Sequence, residues 1–212
     1  AAKLKRGNDV MLKRIRMAAW IGVAFLSAAL AVFYVTDRLR RLDPPVTSAA
    51  PLLPLEGAFE LTSQHGTRFT EANLSDKPSI VFFGFTNCPD ICPTGLFELS
   101  ELLAKLEGDA EKLQVLFIAV DAKRDTQEVV REYLKSFDPR IIGLTGPIQE
   151  IDRAVKTFRA FYEIVPGSGP DDYSVNHSAG MFLIDREKRF VGTLDGHEGL
   201  DIRLEKVRKL IK

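Results

Sequence analysis

The chain has 212 residues, 45% of them hydrophobic, which is enough for one substantial core with appendages. Its 29 basic residues balance 29 acidic ones, so no global positive bias points to nucleic acid, and none is expected as a partner. No internal repeat is evident, which excludes a repeat array.

Charge is uneven at the start. Residues 1–16 carry Lys3, Lys5, Arg6, Lys13, Arg14 and Arg16 against a single Asp9, and they lead into an uncharged apolar run from Met17 to Val35. That run is about as long as a helix needs to cross the hydrocarbon layer, and nothing polar marks a solvent face. The expectation is a basic cytoplasmic arm over 1–16 and a single transmembrane helix over 17–36, with the bulk of the protein beyond the membrane. Arg38, Arg40 and Arg41 on the far side weaken that orientation. A cleaved signal peptide is the rival reading; its apolar region would be shorter, although Ala28-Ala29-Leu30 and Ala29-Leu30-Ala31 imitate a cleavage site. Pro44, Pro45, Pro51 and Pro54 then make 37–57 a semi-extended linker, and 58–212 is the expected folded domain.

Phe59-Glu60-Leu61 and Arg68-Phe69-Thr70 alternate around the turn Ser63-Gln64-His65-Gly66 and predict a hairpin, with His65 an exposed turn residue. Ser79 to Phe85 is a short β-branched and aromatic run that reads as a strand. It leads to Asn87-Cys88-Pro89-Asp90-Ile91-Cys92-Pro93, which holds both cysteines. Pro93 suits a first helical position, so Cys92 is expected near an N-cap, where the positive helix end favours thiolate. Three intervening residues let both sulfurs face one side, as i and i+4 do on a helix. A redox-active disulfide and a pinched metal ion both remain open, beside two blander readings: buried small hydrophobes, or a structural disulfide over a very short loop.

Leu96, Leu99, Leu102, Leu103 and Leu106 predict a helix over 96–106, and Gln114 to Val120 a buried strand. Asp121 lies at the C-terminal end of that strand, where open α/β sheets place ligands, and is expected to point towards the cysteine loop. Asp125 with Glu128 reads as a capping box for a helix over 126–137. A short strand at 141–144 and an amphipathic helix over 147–161 follow, then a polar loop over 165–173. Ser174 to Gly180 delivers the chain to a strand at 181–184, a turn at 185–188, a strand at 190–194 and a closing helix over 200–211. Hairpin, βαβ, helix, two antiparallel strands and a final helix is a thioredoxin-like α/β order with a central mixed sheet.

Such a sheet would set His177 beside Cys88 and Cys92. Two thiolates and a neutral imidazole suit Cu(I) in a low-coordinate site, whereas structural zinc normally takes a fourth protein ligand. Asp195, His197 and Glu198 are a second cluster of ligand types, but their setting reads as a solvated turn.

At this point FGFTNCPDICP over 83–93, VDAKRDT over 120–126, GLTG over 143–146 and NHSAGMFLID over 176–185 resemble the SCO/SenC family. These are membrane-anchored thioredoxin-like proteins that handle copper for assembly of cytochrome c oxidase. The resemblance covers about residues 55–212. It implies Cys88, Cys92 and His177 as ligands of Cu(I) or Cu(II), with Asp121 near the site as a tuning or partner-contact residue. It further implies the copper-centre subunit of the oxidase and other copper chaperones as partners. The implied location is the bacterial inner membrane with the domain in the periplasm, or the mitochondrial inner membrane facing the intermembrane space. Three positions depart from the family pattern: Asn176 stands for an Asp, Ala122 for a Pro, and Glu187-Lys188 where a turn glycine is usual. Copper delivery and reduction of the oxidase subunit's cysteines by a thiol-disulfide oxidoreductase both need Cys88 and Cys92. Only the copper site needs His177. No proline stands in 175–179, where a general thioredoxin-like reductase would carry its cis-proline, and nothing beside Cys88 matches a peroxidase pattern.

Overall fold

A computed structural model describes residues 17, 20–22, 25–34, 53–169 and 172–212, and the chain divides into units 1–49 and 50–212. In the first unit Met17, Trp20–Gly22 and Phe25–Tyr34 are helical and exposed. Among the described residues no helix is long and apolar enough to cross a membrane, so the membrane helix expected over 17–36 is not found there. The rest of that run, the basic arm and residues 35–52 lie outside the described residues.

In the second unit eight strands form one mixed sheet. They are β1 (Leu53–Pro54), β2 (Glu60–Ser63), β3 (Arg68–Thr70), β4 (Ser79–Gly84), β5 (Gln114–Ala119), β6 (Ile141–Thr145), β9 (Met181–Ile184) and β10 (Arg189–Leu194), in the order β1-β10-β9-β4-β5-β6-β2-β3. β4, β5 and β6 run parallel, and every other neighbouring pair is antiparallel. The helices are α1 (Ile91–Leu106), α2 (Gln127–Leu134), α3 (Ile148–Thr157) and α4 (Leu200–Leu210). Between them, β7 (Tyr162–Pro166) and β8 (Tyr173–His177) pair with each other as a separate two-stranded ribbon.

The central strands read as unbroken apolar runs because both of their faces are covered. Ile80 to Phe83 and Leu116 to Ala119 are wholly buried, and the leucine stripe of α1 packs into the same core. Gly95 lets α1 come close to β4, since a Cβ there would lie 2.9 Å from Cζ of Phe82. Leu53–Pro54, within the expected linker, forms the outermost strand, an edge where the missing N–H of Pro54 is tolerated.

The expected helix over 147–161 ends at Thr157. Arg159 takes φ 52, the left-handed turn that commonly stops a helix, without the glycine that would announce it. The residues beyond become β7, which ends at Pro166, and β8 starts at Tyr173, so the polar stretch expected as a loop over 165–173 includes the ends of two strands. Glu163 to Pro166 are exposed, so no buried-face alternation marked the strand.

Candidate metal centre

The site assembles where β4 runs out. Past Gly84 the chain turns back, the amide of Cys88 donating to the Phe85 carbonyl at 3.2 Å, and α1 begins at Ile91 with Asp90 as N-cap. Pro93 is therefore the third helical residue rather than the first. It still costs no hydrogen bond, because the first amides of a helix have no partner within it. Cys92 is buried and Cys88 half-buried, both as free thiols, and the Cys92 amide donates to Sγ of Cys88 at 3.4 Å. Gly84 makes room for this: a Cβ there would stand 2.8 Å from Sγ of Cys92.

His177 closes the site from the end of β8. Its Nε2 lies 3.4 Å from Sγ of Cys92, and its Nδ1 lies 3.0 Å from the Ser178 carbonyl. A carbonyl only accepts, so Nδ1 carries the proton and the Nε2 lone pair faces the sulfurs, an assignment made from the bonding pattern. Phe82 and Phe85 meet the ring edge-on, with centroids 6.3 and 5.9 Å away. One donor atom from each of Cys88, Cys92 and His177 lies within 4.8 Å of the other two, and no other such group of three occurs among the described residues.

The electrostatics reverse one expectation. Burial pushes the Cys92 thiol well up, and the opposing backbone contact from Phe85 is the weaker effect. A helix N-terminus contributes at most about 2 kcal/mol, too little to offset desolvation of a fully buried thiolate. Burial also holds His177 below the ordinary imidazole range, against the pull of the Ser178 carbonyl. Without metal, then, Cys92 is a thiol and His177 is neutral, and a cation bound here must displace the Cys92 proton.

The two aspartates of the loop after β5 take roles other than those expected of them. Asp121 is buried but turned to Arg124 and Tyr173: the Tyr173 hydroxyl donates to it at 2.8 Å, and Nε of Arg124 makes a short charged bond with it. Asp125 is the one that reaches the cysteine loop, accepting from the Thr86 amide at 3.1 Å and the Thr86 hydroxyl at 2.6 Å. Burial raises its carboxyl to about 6 despite those bonds. The cap of α2 is instead Thr126, whose side chain accepts from the Val129 amide at 3.3 Å. Asp-Thr at 125–126 offers two capping frames, and the competing Thr was the available sign that Asp125 was free for other work. Tyr133 was not singled out by its sequence setting. Its hydroxyl is buried, and burial pushes the phenol up. His197 sits in an exposed turn, its amide donating to Asp195 at 2.8 Å, while Glu198 pairs with Lys206; the three side chains do not form a ligand group. His65 is likewise an exposed turn residue.

A thioredoxin-like α/β domain with two thiols at the head of α1 and an imidazole folded over them defines the class: a thiol protein built around a candidate metal centre. Within that class, the SCO1/SenC family description matches residues 48–212, and the chain belongs to this family. The mitochondrial protein SCO2 of Saccharomyces cerevisiae is 37% identical over 204 residues, which is 93% of this chain and 67% of that protein. Mitochondrial SCO1 of the same yeast is 42% identical over 163 residues, 74% of this chain and 55% of that protein, so the chain spans little more than half of it. Among solved structures, Bradyrhizobium japonicum ScoI with copper bound superposes with a TM-score of 0.69 at 38% identity, covering 74% of this chain and 99% of that one.

Proposed function

We propose that the protein binds one copper ion through Cys88, Cys92 and His177 and passes it to the copper-centre subunit of cytochrome c oxidase during assembly. The observation that carries this reading is the convergence of the three donors within 4.8 Å. The donor chemistry fits: two sulfurs and one imidazole suit Cu(I), a fourth protein ligand for zinc is missing from the group, and the Nδ1 bond to Ser178 orients the ring for coordination through Nε2. Copper is cargo here, and the site has an entrance and a floor. Cys88, half-buried, is the sulfur that an incoming thiol of the acceptor reaches first, while Cys92 at the buried base is released last. The reading includes anchorage by residues 17–36, with the folded domain on the non-cytoplasmic side, and other copper chaperones as donors.

A second reading rests on the same cysteines. With their sulfurs within 4.8 Å of each other, the pair would suit a thiol-disulfide oxidoreductase that reduces the cysteines of the oxidase subunit. His177 discriminates between the two. Titration with Cu(I) under reducing conditions is expected to give one equivalent bound by the wild type, and His177→Ala is expected to weaken it at least about 100-fold, about 2.7 kcal/mol. Equal stoichiometry and affinity in both proteins would favour the reductase.

A further inference from the structure

The ribbon that presents His177 is not part of the main sheet. Its ladder hydrogen bonds tie β7 to β8 and not to the body of the domain. Side chains of a strand alternate, so Tyr173, Val175 and His177 share one face of β8. Val175 on that face is buried in the core. Tyr173, at the start of the strand, is gripped by the loop that follows β5. Its hydroxyl donates to Asp121 at 2.8 Å, its carbonyl accepts from Nη1 of Arg124 at 3.2 Å, and the Arg124 guanidinium lies 3.7 Å from the centre of its ring. Asp121, itself only 2% exposed, in turn holds Arg124. The guanidinium also stands 5.9 Å from the ring of Phe85, which meets His177 edge-on. The same loop holds the other half of the centre, since Asp125 ties down Thr86, two residues before Cys88.

We propose that Asp121, Arg124 and Tyr173 form a clamp that positions His177 over the two thiols. Together with the Asp125–Thr86 bonds, the 121–126 loop thereby sets the separation between the imidazole and the sulfurs. These are positioning residues; none is a ligand. The argument rests on the copper reading above only for its binding assay, because the seating of β8 is measurable in the metal-free protein. The clamp also accounts for the Asp121 side chain, which faces the ribbon rather than the cysteines.

Tyr173→Phe is the sharpest test, since it deletes one hydroxyl and keeps the ring beside Arg124. Amide hydrogen exchange of β8 in the metal-free protein is expected to speed up about tenfold, while β4 and β5 exchange as before. Cu(I) affinity is expected to fall about tenfold, the effect typical of a group that orients a metal ligand. In a His177→Ala background the same substitution is expected to change affinity no further, because the clamp acts only through that ring. Arg124→Gln should weaken binding and Arg124→Lys should partly restore it, by keeping the charge without the fork. Equal losses from Tyr173→Phe in both backgrounds would mean general loosening and would overturn the proposal, as would wild-type β8 exchange with wild-type affinity. If His177→Ala itself binds copper normally, the copper reading falls while faster β8 exchange in Tyr173→Phe still supports the clamp. If His177→Ala binds weakly and Tyr173→Phe behaves as wild type, the clamp falls and the copper reading stands.

Discussion

Replacing Gly84 by alanine tests whether the sulfur of Cys92 owes its position to a missing side chain. The added Cβ would stand 2.6 Å from Cε2 of Phe117 and 2.8 Å from Sγ of Cys92. Comfortable contact needs about 3.5 Å or more, so each neighbour must retreat by roughly 0.7–0.9 Å. Neither has free space. Both are wholly buried, and the Phe117 ring is flanked by Phe82 and Tyr133, each with its centroid 6.0 Å away. Overpacking of this kind costs about 1–3 kcal/mol. At about 2–4 °C per kcal/mol for a domain of this size, the melting temperature should fall by several degrees. Metal–ligand distances tolerate only about 0.2 Å, so a displaced sulfur should also lower Cu(I) affinity at least about tenfold. Gly180→Ala is the control, three residues from His177 with its nearest neighbouring atoms at 3.9 Å, and should melt and bind as wild type. The assays are thermal melting by circular dichroism and competitive Cu(I) titration. A Gly84→Ala protein with wild-type melting and wild-type affinity would refute the steric reasoning.

Asp125 predicts a pH dependence. Its folded carboxyl titrates at about 6 against an ordinary value of 3.8, so between those values the folded state holds the proton more tightly than the unfolded state does. Stability should therefore fall as pH rises from about 4 to 6, by up to about 3 kcal/mol, and Asp125→Asn should flatten that part of the curve of urea midpoint against pH. A mutant curve parallel to wild type would contradict the assignment. Lys188 sits at φ 57, a left-handed conformation that costs a side-chain-bearing residue about 1 kcal/mol. Lys188→Gly, which restores the glycine usual at this turn, should raise the melting temperature by about 2 °C, and a lower one would show that the lysine side chain matters more than its backbone.

How far the site was legible depended on whether its residues declared themselves locally. The run from Ser79 to Phe85 and the leucines of α1 carry their periods openly, and both elements lie within a few residues of where those periods put them. Cys88 and Cys92 stand close together in sequence, so their shared side followed from spacing alone. The β7–β8 ribbon left no such trace, because most of β7 faces solvent and solvent imposes no alternation. Which of Asp121 and Asp125 bonds the cysteine loop was not legible, because two acids four residues apart in one loop differ only in which neighbours the fold brings to them.

The sequence by itself determined the candidate donor set, two thiols and an imidazole, and the strand and helix that flank the cysteines, since residue chemistry and apolar periodicity are properties of short stretches. Only the tertiary structure decided that His177 lies 3.4 Å from Cys92, 85 positions earlier, and that the Cys92 thiol keeps its proton despite its place at a helix start. Both depend on burial, and burial is fixed by everything that packs around a group rather than by its neighbours along the chain.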